Sequence, residues 1–506
     1  MIFELEAGLQ FIEEEYSREI VSLSDFLPKG LITFPLIWTL FPPNVLAVGQ
    51  DEFKQTFSFF VREVIDSEDE QGNVFLSLSV AYLDHDGHAL KERTSSNFAI
   101  HAFEGARDIT SLPFYPLDMH KEPEQTKQYL LKNAEAAKKV HGRHLVEYTG
   151  HALREGKDRL VKFNSHGRVM IDPVTLVDTA PSNTLLPEYM EAIKTTNLSQ
   201  EQIMTISPKL YGFSLGDKTW GTLIPALWQE LISNLEIGIF AVTNIHEVVW
   251  NDSVFDALVL EQDRKDLIHD LVQTHRTVDD TFDDFVHLKG KGLVGLLAGP
   301  PGVGKTMTAE AIAEVARRPL YMISSGELGE TVEDIHDKLK AILELAELWD
   351  AVVLLDEADV FLSQRTDADL SRNAIASIFL RELEYYQGIL ILTTNRLTSF
   401  DHAFQSRIHF CIQYPELSDE GRESIWRSFL ARTKQNPKLV VDLDEDEYRC
   451  LGALKLNGRQ IKNIMSVSQS VAAKRSEPIT LEFIESAIKL CQNFTIRGKD
   501  ESIFET

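Results

Sequence analysis

The sequence predicts an α/β domain built on a parallel sheet, preceded by a β-rich α+β domain and followed by a helical region. From about residue 255, apolar runs of strand length alternate with helical patterns, as in βα repeats that place helices on both faces of a sheet. Before Asp178, several runs alternate apolar and polar residues, which is typical of half-buried strands. After Pro415 the pattern is helical only.

Length and composition agree with a multidomain globular protein. The chain has 506 residues, which allows about three domains at roughly 150 residues each. Hydrophobic residues make up 43% and charged residues 25%, an ordinary globular composition. We predict a β-rich N-terminal domain at 1–180, a connecting segment at 181–253, an α/β core at 254–415 and a helical domain at 416–506.

Charge and cysteine content exclude several classes of protein. The net charge of −28 disfavours binding to phosphate backbones or anionic lipids, so no DNA binding is expected. The three cysteines are far apart in the sequence, which argues against a disulfide framework. The N-terminus is acidic and lacks a signal-peptide core, and prolines interrupt the apolar stretch at 30–49. We therefore expect a soluble intracellular protein, cytoplasmic or nuclear and not secreted, without a membrane segment.

The N-terminal elements follow from alternation and turn residues. Gln55–Val64 and Asn73–Tyr82 alternate in hydropathy and are predicted to be strands. Asp86 and Gly87 between short runs indicate a hairpin turn. A helix is predicted at about Glu122–Val140. The prolines in the polar stretch after 180 indicate a boundary.

In the α/β core, each element follows from an apolar run or a helical pattern. The predicted strands are Leu293–Ala298, Tyr321–Ser324, Val352–Leu355 and Ile389–Thr394. The predicted helices are Lys305–Arg318, Ile335–Trp349 and Leu370–Tyr386.

The most specific motif lies between the first core strand and the first core helix. Residues 299–306 read GPPGVGKT, which is GxxxxGK[ST] in the strand–loop–helix context that a phosphate-binding loop requires. The glycines allow backbone N–H groups to cradle phosphates, and the helix N-terminus favours negative charge. ATP contacts are predicted from Gly299, Pro300, Pro301, Gly302, Val303, Gly304, Lys305, Thr306 and Met307. Lys305 can reach the terminal phosphates, and the Thr306 hydroxyl can ligate Mg²⁺.

Two acids follow the strand Val352–Leu355. Asp356 is expected to hold Mg²⁺ through water, and Glu357 to act as the general base that polarises the attacking water. An acid pair after an apolar strand is a weak signal alone and a strong one downstream of a phosphate loop. Asp359 is interpreted as a structural cap or loop residue.

Two further polar residues are candidates for catalysis. Asn395 ends the strand Ile389–Thr394 and can orient the lytic water, although a turn-forming asparagine is the alternative. Arg407 precedes the last core strand and could serve a neighbouring subunit's nucleotide as an arginine finger. A solvated surface arginine is the alternative for that position.

These motifs together resemble the AAA family of ATPases, over roughly 256–493. The segments 372–396, 103–118, 142–153, 167–172 and 211–221 are similar to a mostly fungal group of AAA proteins with a family-specific N-terminal domain of unknown function. The resemblance implies a five-stranded αβα core, a four-helix lid, ATP with Mg²⁺, and a homo-oligomeric ring, usually a hexamer. It also implies that Arg459, in the GRQI stretch at 458–461, is a sensor-2 residue that reaches the γ-phosphate in cis.

The sequence departs from this family pattern in three places. Phe410 stands where many AAA unfoldases carry a second arginine. The stretch 326–334, GELGETVED, is acidic and lacks the aromatic residue of a pore loop. Residues 222–238 look like additional sequence, either an insertion or a gene-model error.

The function predicted on these grounds is ATP hydrolysis by an oligomeric AAA ring that remodels an unknown protein client. The alternative is a nucleotide-gated binding or scaffold module with slow or no hydrolysis, favoured by Phe410 and the acidic 326–334 stretch. The intact pair Asp356 and Glu357 favours hydrolysis. A DNA-acting AAA protein is disfavoured by the charge.

Overall fold

The computed structural model describes residues 10–69, 71–155, 160–175, 189–192, 198–216, 238–256, 258–275, 292–329, 331–362, 370–396, 402–434, 436 and 439–492. The chain divides into two compact units, Met1–Val249 and Trp250–Thr506. Throughout these described ranges, no helix is both long and apolar enough to cross a membrane.

The first unit is mainly antiparallel β-structure. Its strands are β1 Leu31–Thr33, β2 Val45–Gln50, β3 Thr56–Glu68, β4 Val74–His85, β5 Leu90–His101, β6 Ala106–Asp108, β7 Phe114–Pro116, β8 His144–Glu155, β9 Leu160–Ile171, β10 Tyr189–Ala192, β11 Lys209–Ser214, β12 Gly238–Ala241 and β13 Ile245–His246. Its helices are α1 Ser17–Phe26, α2 Pro123–Lys139 and α3 Gln200–Met204. The predicted hairpin turn joins β4 to β5, where Gly87 has φ +95° and the Asp86 carboxylate accepts the amides of the two residues after Gly87.

Two larger sheets account for most of these strands. Among the described residues, one has the order β10-β5-β4-β3-β2-β7 and the other the order β12-β11-β9-β8-β13, and β12 also pairs with β8. The second sheet therefore closes on itself through β8, β9, β11 and β12. Strands β10 to β13 come from 181–253, so this region, expected to connect domains, contributes to the sheets of the first unit. The predicted additional sequence at 222–238 lies, except for its last residue, outside the described residues.

The second unit has a parallel sheet followed by a helical region. Its strands are β14 Leu293–Ala298, β15 Leu320–Ser324, β16 Val352–Asp356, β17 Ile389–Thr394 and β18 Phe410–Gln413. Its helices are α4 Ser253–Asp256, α5 Gln262–Thr274, α6 Lys305–Ala316, α7 Val332–Trp349, α8 Asp359–Leu362, α9 Leu370–Tyr385, α10 Asp419–Lys434, α11 Glu445–Ala453, α12 Gly458–Arg475 and α13 Leu481–Gln492. The predicted α/β fold class, with its β-rich N-terminal domain, is confirmed.

The parallel direction of the strands places their carboxyl ends at one edge of the sheet, and the order of the strands decides which ends are neighbours. The order is β15-β16-β17-β14-β18, and every described pair in this sheet is parallel. Strands β14 and β17 are buried along their whole length. Because parallel strands end at the same edge, the loop after β14, the acids after β16 and the polar residues after β17 all lie at one edge. The helices α10 to α13 enclose a separate apolar core around Trp426.

Candidate active site

The loop 299–306 joins the buried strand β14 to helix α6. Gly302 and Gly304 have φ values of +80° and +108°, a region that residues with side chains rarely adopt. A Cβ at Gly302 would also lie 2.8 Å from the side chain of Asn457, so the helical region α10–α13, called the lid below, leaves no room for one. The glycines therefore permit both the backbone conformation of the loop and its close approach to the lid.

Lys305 is the first residue of α6 and is only 7% exposed. Its ammonium group donates to the carbonyl oxygens of Gly299 at 2.7 Å and Pro300 at 2.8 Å, and to Oδ1 of Asn395 at 2.8 Å. Burial lowers the pKa of Lys305; the nearby carboxylate of Asp356 opposes this shift and the guanidinium of Arg459 adds to it. A buried cation in this setting would be stabilised by a bound anion.

The two acids lie at the end of β16, which β17 separates from β14 in the sheet. Oδ1 of Asp356 accepts a hydrogen bond from the hydroxyl of Thr393 on β17. Glu357 has φ +57°, although it is not a glycine, and its amide donates to the same Thr393 oxygen at 3.0 Å. The left-handed conformation costs roughly 1–2 kcal/mol for such a residue, so the neighbouring strand must hold it in place.

Asp359 connects the acid segment to the end of β17. Its Oδ1 accepts the hydroxyl of Thr394 and, at 3.3 Å, the amide of Asn395. Asp359 is the first residue of α8, so its side chain joins that helix to the end of β17. Asn395 is exposed at the strand end, with its amide oxygen on the Lys305 ammonium group.

The predicted sensor-2 residue approaches the same place from the lid. Asn457 caps helix α12, accepting the amide of Gln460 at 2.9 Å in a reciprocal capping box. The amide of Gly458 donates to the carbonyl of Gly302 at 2.8 Å, which attaches the start of α12 to the loop. Arg459 is the next residue, exposed and close enough for its charge to affect Lys305.

Two family models match the sequence. Residues 295–416 match the model described as ATPase family associated with various cellular activities (AAA). The chain contains an AAA domain. Residues 22–121 match a domain of unknown function, DUF7025, which lies in the first unit.

Three curated relatives each match part of this chain. The ATPase family AAA domain-containing protein FIGL1 of Arabidopsis thaliana is 33% identical over 185 residues, covering 35% of this chain and 26% of the relative. A putative 26S proteasome regulatory subunit homolog of Methanothermobacter thermautotrophicus is 29% identical over 204 residues, covering 38% and 54%. Proteasome-activating nucleotidase 1 of Haloferax volcanii is 29% identical over 215 residues, covering 39% and 51%. The chain thus spans about a quarter to about half of these relatives' length.

Two solved structures are similar to this chain. The FIGL-1 AAA domain has a TM-score of 0.38 and 19% identity, covering 48% of this chain and 85% of that one. The same domain in complex with ADP has a TM-score of 0.37 and 21% identity, covering 49% and 85%.

The other residues predicted to contact ATP from the loop differ in how deeply they are buried. Val303 is buried, and Met307 is partly buried and packs against the apolar core of the second unit. Pro301 is exposed, and Thr306 is partly buried in the first turn of α6.

Arg407 makes its contacts elsewhere in the AAA domain. Its guanidinium donates to the carbonyl of Ala403 at 3.1 Å and to Oγ of Ser406 at 3.3 Å. It also forms an ion pair with Glu384 of α9 at 3.3 Å, with both side chains about one quarter exposed. Its Nε is buried without a hydrogen-bond partner among the described residues. Arg407 is thus held by its own subunit and is not part of the Lys305 cluster.

Sequence reasoning missed two residues that organise the site. Thr393 joins both acids, and Glu384 binds Arg407. The signal for Thr393 was a hydroxyl residue near the end of an otherwise apolar strand next to β16. Glu384 had no comparable signal, because it is one of two acids near the end of α9 and the sequence does not distinguish it from Glu382.

Proposed function

We propose that the AAA domain binds ATP with Mg²⁺ at the loop 299–306 and hydrolyses it. The observation that supports this proposal is the cluster at one edge of the sheet. The Lys305 ammonium group, after β14, lies 2.8 Å from the Asn395 amide oxygen at the end of β17, and Asp356 and Glu357 lie at the end of β16, on the other side of β17. A buried cation, a glycine loop at a helix start, and two acids are the groups that phosphoryl transfer requires.

The residues present fit a nucleotide phosphate. Lys305 is buried and its pKa is lowered, so an anion at the loop would stabilise its charged form. Its three present acceptors are two main-chain carbonyls and one amide, all neutral, which a phosphate oxygen can replace. Gly304 is the N-cap of α6, whose free amides and dipole favour a negative charge.

Each predicted residue then has a role in the proposed reaction. Thr306 and Asp356 would hold Mg²⁺, which supplies charge neutralisation on the phosphates. Glu357 would accept the proton of the attacking water. Asn395 would orient that water, and Arg459 would contact the γ-phosphate from the lid. The contact between Gly458 and Gly302 would transmit changes in the loop to the lid.

The proposal extends to an oligomeric ring, usually hexameric, that remodels an unidentified protein client. Arg407 stands where the family's arginine finger is expected and has no contact with its own loop among the contacts described above, which suits a residue that serves a neighbour. The relatives named as proteasome regulatory subunits and nucleotidases support the same proposal. We also propose membership in the mostly fungal group; the DUF7025 match at 22–121 supports only the N-terminal domain of unknown function that this group carries.

A nucleotide-gated binding module is the second candidate, and one observation favours it. A Cβ at Gly295 would lie 2.2 Å from the ring of Phe410, so Phe410 is part of the sheet packing and cannot replace a second trans-acting arginine. Trans activation would then depend on Arg407 alone, which would make hydrolysis slow.

The test is steady-state Mg²⁺-ATPase activity across protein concentration, with Glu357→Gln and Arg407→Ala. Exposed Glu482 on α13 provides a matched control as Glu482→Gln. We expect specific activity to rise with concentration, both site variants to lose it and the control to keep it. A wild-type protein that binds ATP but turns it over no faster than Glu357→Gln would refute hydrolysis and favour the binding module.

A further inference from the structure

Thr393 contacts three consecutive residues at the end of the neighbouring strand. It lies next to last in β17 and is 1% exposed. Its hydroxyl donates to Oδ1 of Asp356 and accepts the amide of Glu357 at 3.0 Å. Its main-chain carbonyl accepts the amide of Ala358 at 2.8 Å. A threonine hydroxyl has one proton to donate and lone pairs to accept with, so it satisfies both side-chain contacts at once.

These contacts bear on the backbone of Glu357. Its φ of +57° is a conformation that residues with a Cβ rarely adopt, and two successive amides, of Glu357 and Ala358, are bound by one buried residue. The backbone angles set the direction in which the Glu357 side chain leaves the chain. Thr393 therefore controls where the proposed general base is directed.

The same hydroxyl bears on Asp356. With Oδ1 occupied by Thr393, the carboxylate is held in one orientation and its other oxygen is left for a cation or its water. Because Asn395 follows Thr393 by two residues on the same strand end, the acids and the amide on Lys305 are held by one short segment.

We propose that Thr393 is a positioning residue for hydrolysis, through a hydroxyl that orients the Asp356 carboxylate and fixes the backbone of Glu357. The inference depends on the proposed ATPase function and adds a residue to it. Thr393 itself touches neither nucleotide nor water in this scheme, and it acts through the two acids.

Two substitutions separate the hydroxyl from the shape of the side chain. Thr393→Val removes the hydroxyl and keeps the branched shape, and Thr393→Ser keeps the hydroxyl. Thr433→Val in α10 is the matched control, because Thr433 is 2% exposed and its hydroxyl bonds Phe429 and Gln469 away from the site. It reports the effect of losing one buried threonine hydroxyl in the same unit.

We expect Thr393→Val to lower kcat by about 10- to 100-fold, the effect of one hydrogen bond to a charged group, with KM changed less than about threefold. Thr393→Ser should retain kcat within about threefold, and Thr433→Val should resemble wild type. A second readout is the affinity for a non-hydrolysable ATP analogue. In EDTA, we expect Thr393→Val to bind the analogue as tightly as wild type. Mg²⁺ should increase the affinity of Thr393→Val at least about threefold less than it increases that of wild type, because Asp356 is no longer oriented.

The outcomes distinguish this inference from the proposed function. A Thr393→Val protein with wild-type kcat, beside an inactive Glu357→Gln, overturns the role of Thr393 and leaves the ATPase standing. Equal losses in Thr393→Val and Thr393→Ser assign the effect to packing and also overturn it. If wild type binds the analogue without hydrolysing ATP, the affinity measurement decides. An increase in affinity on adding Mg²⁺ that is equal in Thr393→Val and wild type overturns the role of Thr393. A wild type that binds no analogue overturns both proposals.

Discussion

Replacing Asn395 with alanine removes one of the three acceptors around the Lys305 ammonium group. The other two, the carbonyls of Gly299 and Pro300, remain at 2.7 and 2.8 Å. Lys305 is 7% exposed, whereas Asn395 is exposed, so water can enter the space that the amide leaves. The substitution therefore weakens the present arrangement of the lysine without leaving it wholly unpaired.

The size of the effect follows from these contacts. A hydrogen bond to a charged group contributes about 1.5–3 kcal/mol, and a replacing water reduces the loss to about 1 kcal/mol, or about fivefold in an equilibrium. The hydrogen bond between Lys305 and Asn395 stabilises the present arrangement of the site, and it competes with a phosphate for the Lys305 ammonium group. Asn395→Ala should therefore bind ADP as tightly as wild type or up to about fivefold more tightly. Under the proposed mechanism its kcat should fall by about 100-fold, because no amide would then orient the attacking water.

The assay is a fluorescence titration with a labelled ADP in EDTA, combined with steady-state turnover. Glu357→Gln is the comparison, since it should lower kcat and leave affinity unchanged. An Asn395→Ala protein that binds ADP more than threefold more weakly than wild type would refute the competition between amide and phosphate. It would mean that Asn395 contributes to binding in the ground state.

Two further predictions concern ion pairs. Glu384→Gln should raise ATPase activity about two- to fivefold at low protein concentration. The partly exposed pair with Arg407 is worth only about 0.5–1 kcal/mol after solvent screening, and its loss frees the arginine for a neighbour. A fall in activity across a concentration series would contradict this. In the first unit, burial raises the pKa of Asp84 from 3.8 to about 6, against the opposing charge of Arg93. The folded protein then binds this proton more tightly than the unfolded chain. The contribution of Asp84 to the free energy of unfolding therefore falls by about 3 kcal/mol as the pH rises from about 4 to 6, and it is constant above about pH 6. Denaturant unfolding at several pH values should show this slope in wild type relative to Asp84→Asn, and parallel pH curves would disprove it.

The fold class and the position of the phosphate loop could be predicted from the sequence because both depend on local patterns. The loop is one continuous motif between an apolar run and a helical pattern, and the helix predicted at about Glu122–Val140 is observed at Pro123–Lys139. The acids after β16 could be placed at the carboxyl edge for the same reason, since an apolar run of four residues ends directly before them.

The region 181–253 could not be predicted in this way. Its strands are short, and they pair with β5, β8 and β9, which lie far away in the sequence. A four-residue strand such as β12 has too few residues for alternation to be recognised. Only its neighbours in the sheets show that this region contributes to the first unit.

The sequence by itself determined which chemical groups the protein offers: a glycine loop with Lys305, two acids after a strand, and an asparagine after the next. The tertiary structure alone decided which of them meet. Lys305 reaches Asn395 across 90 residues and Thr393 reaches Glu357 across 36, while Arg407 pairs with Glu384 instead of joining them. These contacts depend on the order β15-β16-β17-β14-β18, which brings distant chain segments together at one edge. Strand order follows from how whole apolar faces are buried, a property of the folded unit that no single stretch of sequence contains.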